Sequence, residues 1–541
     1  MSKKGIIISG PMEPEICKKT SLGQQILWSL RNNYHRIYQI DISTGKTITY
    51  GETLKMSVLL ATALKKRDIK PGDSVAITSE NSLRYPIPAC ATLYLGAIVA
   101  PINWNYTEGE MRHLISISKP KIIFVSRHTE GLITRIIQSL SCKVDIIQLE
   151  EQSLNSQVPT LDEILTNEAE KNIDPWKYVT VEIPNNSKQY SAILSSSGTT
   201  GIPKGVGLSS RNLLFMIKYM ISPIALDLRP ADKILCFVQY FHGYGFSIWI
   251  NTIMSGSCIL MMKSFTPQLF FKAIKEYRPT HMPIVPTVLV FLAKHPDVVK
   301  YDFSCVREAM CGAAPISKEL KSAVIKRLGL PWIRNAYGMT ELSVLASITD
   351  RNNESNDESV GYLLPCLRAK VVDENTGDTL DVDQVGEICL KGPQVMLGYY
   401  DNPEATQKTI DEDGWIHTGD IGFIKKNSQI YVVDRLKELI KYKGYQVAPA
   451  AIESILMSHS GVNEAAVVGK PDETSGELPM AFIVKQPGAK VTAEEIFKFV
   501  QEKLSSPNWL RGGIRFVEAL PKSSVGKILR RELRKIVSSN L

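Results

Sequence analysis

The stretch Ser195-Ser196-Ser197-Gly198-Thr199-Thr200-Gly201-Ile202-Pro203-Lys204-Gly205-Val206 gathers hydroxyls, glycines and one lysine into a single run. Glycines let the backbone turn and approach a ligand closely, so main-chain N–H groups, side-chain hydroxyls and the ammonium can surround an anion. The run therefore predicts a polyphosphate loop between the strand-like Ala192-Ile193-Leu194 and a helix starting near Ser209-Ser210-Arg211-Asn212. It is not a Walker A loop, because Gly-x4-Gly-Lys-Ser/Thr is absent. A flexible linker is the competing reading of any Gly/Ser/Thr run. Ile202, Pro203, Lys204 and Val206 argue against it, since a linker gains nothing from apolar residues and a proline.

Five further stretches hold chemistry-bearing residues. In Gln239-Tyr240-Phe241-His242-Gly243-Tyr244-Gly245-Phe246, a histidine between aromatics and glycines suits the wall of an apolar pocket, although a core histidine would look the same. Cys311-Gly312-Ala313-Ala314-Pro315 has side chains small enough for a planar ring to lie against the backbone. Asn335-Ala336-Tyr337-Gly338-Met339-Thr340-Glu341 offers a ring for stacking, a hydroxyl for a phosphate oxygen and a carboxylate for Mg2+. Either segment alone also reads as an ordinary turn. Asp413-Gly414-Trp415-Ile416-His417-Thr418-Gly419-Asp420 places an aspartate at a turn, where it could accept both ribose hydroxyls. Near the end, Gly526-Lys527 stands before Ile528-Leu529-Arg530-Arg531, a pattern shared with a solvated basic helix face. His281 reads as core, and its neighbourhood has no metal-ligand spacing such as His-Glu-x-x-His.

Alternating helical and strand patterns must position these residues. Gly51 to Arg67 reads as helix, Ser74 to Thr78 as strand, Leu83 to Ile98 and Met111 to Ser118 as helices, and Lys121 to Val125 as strand. This alternation predicts stacked α/β layers around largely parallel sheets. Leu154 to Lys188 is polar and irregular. Lys233 to Val238, Pro279 to Pro286, Gly386 to Leu390 and Gln429 to Val433 are strand-like, and Phe270 to Tyr277 is a short helix. Beyond the charged junction Asp434-Arg435-Leu436-Lys437, a strand at Glu464 to Gly469 and a helix at Ala493 to Leu504 suffice for a small separate lid.

A chain of 541 residues is too long for one core. The net charge of +8 is spread without a long basic block, which argues against a nucleic-acid binder. Nine scattered cysteines without a CxxC pair fit a reducing compartment and no structural zinc. The apolar run from Ile87 to Ile102 contains Pro88, Gly96 and Pro101 and is too short for a membrane span, so it reads as buried helix and turn. The run Ile6-Ile7-Ile8 is too short for a secretory signal. The tail Ser539-Asn540-Leu541 differs from the peroxisomal Ser-Lys-Leu address at its middle position. Localisation therefore reads as peroxisome, through an import receptor, or cytoplasm.

Together, Ser195 to Val206, Tyr337-Gly338-Met339-Thr340-Glu341, Thr418-Gly419-Asp420, Asp434-Arg435 to Lys441-Tyr442-Lys443-Gly444-Tyr445 and Gly526-Lys527 resemble the adenylate-forming superfamily of acyl-CoA synthetases, 4-coumarate–CoA ligases, beetle luciferases and peptide-synthetase adenylation domains. The likeness spans nearly the whole chain and looks closest to the insect luciferase-like acyl-CoA synthetases. It implies a large N-terminal domain (1–433) of stacked α/β sheets with a β-barrel-like subdomain, a hinge (434–437) and a small mobile α+β lid (438–541). It also implies an ATP-, Mg2+- and coenzyme A-dependent ligase for a fatty or aryl acid.

By the same resemblance, Ser195, Ser196, Gly198, Thr199, Thr200 and Lys204 would hold the departing phosphates. Thr340 would touch the α-phosphate and Glu341 the Mg2+. Gly312, Ala313, Ala314, Tyr337 and Gly338 would frame adenine, and Asp420 and Arg435 would fix the ribose. His242, Gly243, Tyr244, Phe246, Met339 and Val344 would line the acid pocket. Lys527 would act in adenylation, Lys437 as hinge, and Lys441, Lys443 and Gly444 in thioester formation. A luciferase and a stand-alone enzyme loading a carrier protein are the alternatives. Leu342, Ser343, Val344 and Leu345 follow Thr340-Glu341 where beetle luciferases tend to carry small hydroxylated residues, which favours a plain acyl substrate.

Overall fold

The computed structural model describes residues 5–12, 16–140, 143–150, 157–196, 203–312, 316, 318–351, 358–443, 445–522 and 528–538. Four sheets organise them. In spatial order, the seven-stranded sheet runs Gly398–Tyr399, Lys204–Ser209, Tyr190–Ser196, Ile98–Pro101, Ser74–Thr78, Ile122–Val125 and Asp145–Gln148. The nine-stranded sheet runs Tyr362–Leu363, Ser347–Ile348, Arg334–Tyr337, Glu308–Cys311, His281–Ile284, Lys233–Cys236, Cys258–Met261, Ile37–Asp41 and Thr47–Thr49. Both are parallel at the centre; the nine-stranded sheet is antiparallel at both edges, and the seven-stranded sheet only at the edge of Gly398–Tyr399 and Lys204–Ser209. Their central strands are apolar and buried on both faces, as parallel strands sandwiched by helices must be.

The helices begin where the sequence supplies caps. Thr49 with Glu52, Thr107 with Glu110 and Thr160 with Glu163 each form a reciprocal capping box. The last of these starts the helix Leu161–Asn167 inside the segment read as irregular, because a seven-residue helix carries too little periodicity to stand out. The helix read over Leu83 to Ile98 is shorter, Pro86–Tyr94. Gly96, at φ +66°, turns the chain into the strand Ile98–Pro101, so the apolar run holds a strand as well as a helix. His281 is core as expected, with its ring nitrogens at Thr280 Oγ1 and the Leu226 carbonyl.

The β-barrel-like part is a five-stranded antiparallel sheet of Ile7–Ser9, Arg368–Val372, Gly386–Lys391, Ile416–Ile424 and Ile430–Arg435. The strands Ile440–Tyr442, Tyr445–Val447, Val462–Asp472, Gly476–Lys485 and Gly513–Phe516 build the fourth sheet, beside a separate apolar core that includes Ile452, Leu456, Val467 and Ile483. Its long hairpin Val462–Asp472 and Gly476–Lys485 packs against the helix Pro449–Met457. Among the described residues, no helix is long and apolar enough to cross a membrane.

Because this core is separate, Leu456→Ala is expected to cost about 2–5 kcal/mol and to lower one calorimetric unfolding transition while leaving that of the larger part in place. A single transition displaced as a whole would show that the two cores melt as one.

Candidate active site

The strand Tyr190–Ser196 pairs with Lys204–Ser209, setting Ser196 opposite Lys204 and Ser195 opposite Gly205. A strand thus stands between the glycine-rich run and the helix Ser210–Met220, which Ser209 caps. Gly198, Thr199 and Thr200 lie outside the described residues. Ser196 Oγ is buried with no partner among the described residues. Lys204 Nζ sits 4.5 Å above the Tyr399 ring. The Tyr399 hydroxyl donates to Glu341 Oε1 at 2.9 Å, and burial followed by the Glu341 charge pushes its pKa up, keeping it a donor. The Glu341 carbonyl also accepts from Met396 N. A cavity of about 350 Å3 opens between Lys204, Gly205, Tyr399 and Tyr400.

Asp420 is 4% exposed. Its Oδ2 accepts from the Tyr337 hydroxyl at 2.8 Å, and Arg435 Nε lies 3.2 Å from Oδ1. The expected turn position needs correction. Asp420 stands on the strand Ile416–Ile424 opposite Arg435, just after Gly419 at φ +68°. The strand places the carboxylate and guanidinium side by side, which a turn would leave to chance. Gly338 leaves no alternative residue: an added Cβ would fall 1.9 Å from the Val344 carbonyl oxygen. Gly312 is milder, with 3.3 Å to the Ala336 oxygen, and Ala313 and Ala314 lie outside the described residues.

His242 caps the helix Gly243–Ser255 by accepting from Tyr244 N at 3.3 Å. A Cβ on Gly243 would lie 3.2 Å from Val344 Cγ2 and 3.5 Å from Thr340 Oγ1, so the histidine-glycine corner and the Met339 to Val344 turn face each other. Val344 is β-branched yet sits at φ +88°, a strained conformation of the kind that collects at functional sites. Of the four residues after Glu341, Leu342, Ser343 and Leu345 are buried in the core, and Val344 alone is half-buried. The apolar character expected of all four at the pocket thus reduces to Val344. Met339 is half-buried beside it, Tyr244 is pinned by its hydroxyl to the Met310 carbonyl, and Phe246 is fully buried edge-on to Trp249.

Lys437 is exposed in the turn after Arg435, where its carbonyl accepts from Arg534 Nη2 at 3.2 Å. Just before it, buried Asp434 accepts from Ala450 N at the start of the helix Pro449–Met457. Lys441 and Lys443 are exposed, and their backbone N–H groups donate to the Glu477 carboxylate and the Ser475 carbonyl. Gly444 and Lys527 lie outside the described residues. Arg531 stands in the first turn of the last helix, Arg530–Ser538, where Arg530 pairs with Glu453 at 2.7 Å.

Tyr399 and Met396 escaped the sequence reading. Nothing in Gly398-Tyr399-Tyr400 distinguishes it from a surface turn, and only strand pairing with Val206 brings its ring to Lys204.

A family model described as AMP-binding enzyme matches residues 28–400, and one described as AMP-binding enzyme C-terminal domain matches residues 451–527. The chain is 36% identical over 541 residues to a luciferin 4-monooxygenase of Luciola mingrelica, covering 99% of this chain and 98% of that protein. It is 35% identical over 511 residues to the peroxisomal OPC-8:0-CoA ligase 1 of Arabidopsis thaliana, covering 93% and 91%. Among solved structures, that of ATP-bound MatB from Rhodopseudomonas palustris matches with a TM-score of 0.85 at 25% identity, covering 96% and 99%.

Gly338→Ala is expected to abolish binding of a fluorescent adenine nucleotide and to lower the melting temperature, because its Cβ meets backbone. Gly109→Ala, with open space around it, should change neither by much. Intact binding in Gly338→Ala would show that the Met339 to Val344 turn does not shape the pocket.

Proposed function

The chain belongs to the AMP-binding enzyme family, and from that premise we propose that it is an acid–thiol ligase. In this reading it activates a fatty or aryl carboxylic acid with ATP and passes the acyl group to coenzyme A. The observation that carries the reading is a pair of contacts at the two ends of the short segment from Tyr337 to Glu341: Tyr337 donates to Asp420, and Glu341 accepts from Tyr399, whose ring lies under Lys204.

In the first half-reaction a carboxylate oxygen attacks the α-phosphorus of ATP, the bond to the bridging oxygen breaks, and pyrophosphate leaves. The chain's task is to hold charge and geometry. Lys204, Ser195, Ser196, Gly198, Thr199 and Thr200 bind the β- and γ-phosphates, with Lys204 kept in place over Tyr399. Asp420 has lone pairs left after accepting from Tyr337 and facing Arg435, and these take the ribose hydroxyls. Gly312, Ala313, Ala314, Tyr337 and Gly338 bound the adenine, and Thr340 donates to the α-phosphate. Glu341 suits Mg2+, which binds through one or two carboxylates plus substrate phosphates. When bound, the ion neutralises charge on the phosphates. Lys527 neutralises the transition state between the acid and the α-phosphate.

In the second half-reaction the coenzyme A sulfur attacks the acyl carbon and AMP leaves. The C-terminal domain turns about Lys437, replacing Lys527 with the face that carries Lys441, Lys443 and Gly444. His242, Gly243, Tyr244, Phe246, Met339 and Val344 shape the acid's site. Delivery to peroxisomes by an import receptor reading Ser539-Asn540-Leu541 is part of the same proposal, supported by the relative named as peroxisomal.

A second reading, a luciferin monooxygenase, has support from relatives of equal identity. One assay separates the two: AMP release from a panel of fatty acids, cinnamates and luciferin, with and without coenzyme A, alongside photon counts. The ligase reading expects coenzyme A-dependent acyl-CoA formation without light; strong light from luciferin with little acyl-CoA from any acid would overturn it. Lys527→Ala should slow adenylation by at least ~100-fold while still converting supplied acyl-AMP to acyl-CoA, and Lys443→Ala should do the reverse. Equal losses in both half-reactions would contradict the two-faced lid.

A further inference from the structure

We propose that Glu387, Cys389 and His417 form a site for a soft divalent cation of the zinc type, and that its occupation loosens the nucleotide pocket. Glu387 Oε2 lies 2.7 Å and Cys389 Sγ 3.5 Å from His417 Nδ1, and the three ligand atoms all fall within 4.8 Å of one another. Carboxylate, thiolate and imidazole make a donor set that zinc accepts, with water in the fourth position. The set is assembled by the fold. Cys389 stands opposite His417 on the neighbouring strand, and Glu387, two residues before Cys389, projects from the same face of its strand.

Access is built in as well. Cys389 is fully buried, whereas the His417 side chain is 35% exposed, with Asp411 Oδ2 at 3.8 Å from its Nε2 as an acidic entrance. Lys370, opposite Cys389 on the other side, directs its ammonium to the Trp415 ring at 4.8 Å. Binding releases the protons of Cys389 Sγ and His417 Nδ1 to solvent, and the imidazole keeps the one on Nε2.

The site reaches the pocket through one side chain. Metal–oxygen and metal–nitrogen bonds of ~2.0–2.2 Å at a tetrahedral angle set the two atoms about 3.3 Å apart, so Glu387 or His417 must move outward. Glu387 Oε1 accepts from Gly419 N at 2.9 Å, directly before Asp420. Cation binding therefore pulls on the segment that carries Asp420. This coupling, unlike the cation site itself, rests on the assignment of Asp420 to the ribose.

The test is titration of the full chain with Co2+, reading thiolate-to-cobalt charge transfer in the near ultraviolet, followed by AMP affinity with and without one equivalent of Zn2+. One equivalent of Co2+ should give the band, which Cys389→Ser and Glu387→Gln lose and Cys305→Ser keeps. Zn2+ should weaken AMP binding severalfold in the parent and leave Cys389→Ser unchanged. No band in the parent, or a band that persists in Cys389→Ser, overturns the site. A band without any change in AMP affinity overturns the coupling. If Asp420→Ala also binds AMP as the parent does, the failure lies in the ribose assignment and not in the cation site.

Discussion

A buried carboxylate must be paired or it will not stay charged, and Asp420 is the carboxylate on which this site turns. Its two oxygens are met by a tyrosine from the end of the nine-stranded sheet and an arginine from the next strand of its own sheet. Satisfying Asp420 therefore fixes one sheet against the other. It also fixes where the chain leaves the larger part, because Arg435 is followed at once by the turn holding Lys437. The same logic is repeated at Glu341. Buried Glu341 takes the Tyr399 hydroxyl, and Tyr399 brings the edge of the seven-stranded sheet, with Lys204 above its ring. Two tyrosine–carboxylate bonds thus tie the segment from Tyr337 to Glu341 to the neighbouring sheets.

The turn from Gly338 to Val344 is governed by backbone constraint instead. Gly338 and Val344 approach so closely that Gly338 tolerates no side chain, and Val344 is left in a conformation that a β-branched residue avoids. Strain of roughly 1–3 kcal/mol at such a position persists only where surrounding structure enforces it. Here the enforcing contacts are the Val344 N bond to the Met339 carbonyl and the facing His242-Gly243 corner. In the proposed function, the residue that meets the acid is thus held rigidly, which suits discrimination among substrates better than a mobile side chain would.

Much of this was legible in the sequence. Central strands such as Ser74–Thr78 and helices such as Tyr50–Lys66 follow from apolar periodicity and caps, and the order of motifs carried the family. What stayed hidden depends on strand register. Lys204 reads as part of a loop, yet it is the first residue of a strand because Ser196 pairs with it. Asp420 reads as a turn residue among Gly414, Thr418 and Gly419, yet the ladder with Arg435 makes it a strand residue. Tyr399, and the grouping of Glu387 and Cys389 with His417, arise from neighbours brought together by pairing, which no local spacing encodes.

The central claim, that Asp420 and its two partners receive the nucleotide's ribose, is tested most directly by a cycle comparing ATP with its 2′- and 3′-deoxy analogues in the parent and in Asp420→Ala. The quantity to measure is kcat/KM for AMP or acyl-CoA formation. If the carboxylate accepts the ribose hydroxyls, removing a hydroxyl should cost the parent a large factor and the variant almost nothing. An equal penalty in both proteins would place the ribose elsewhere and contradict the account.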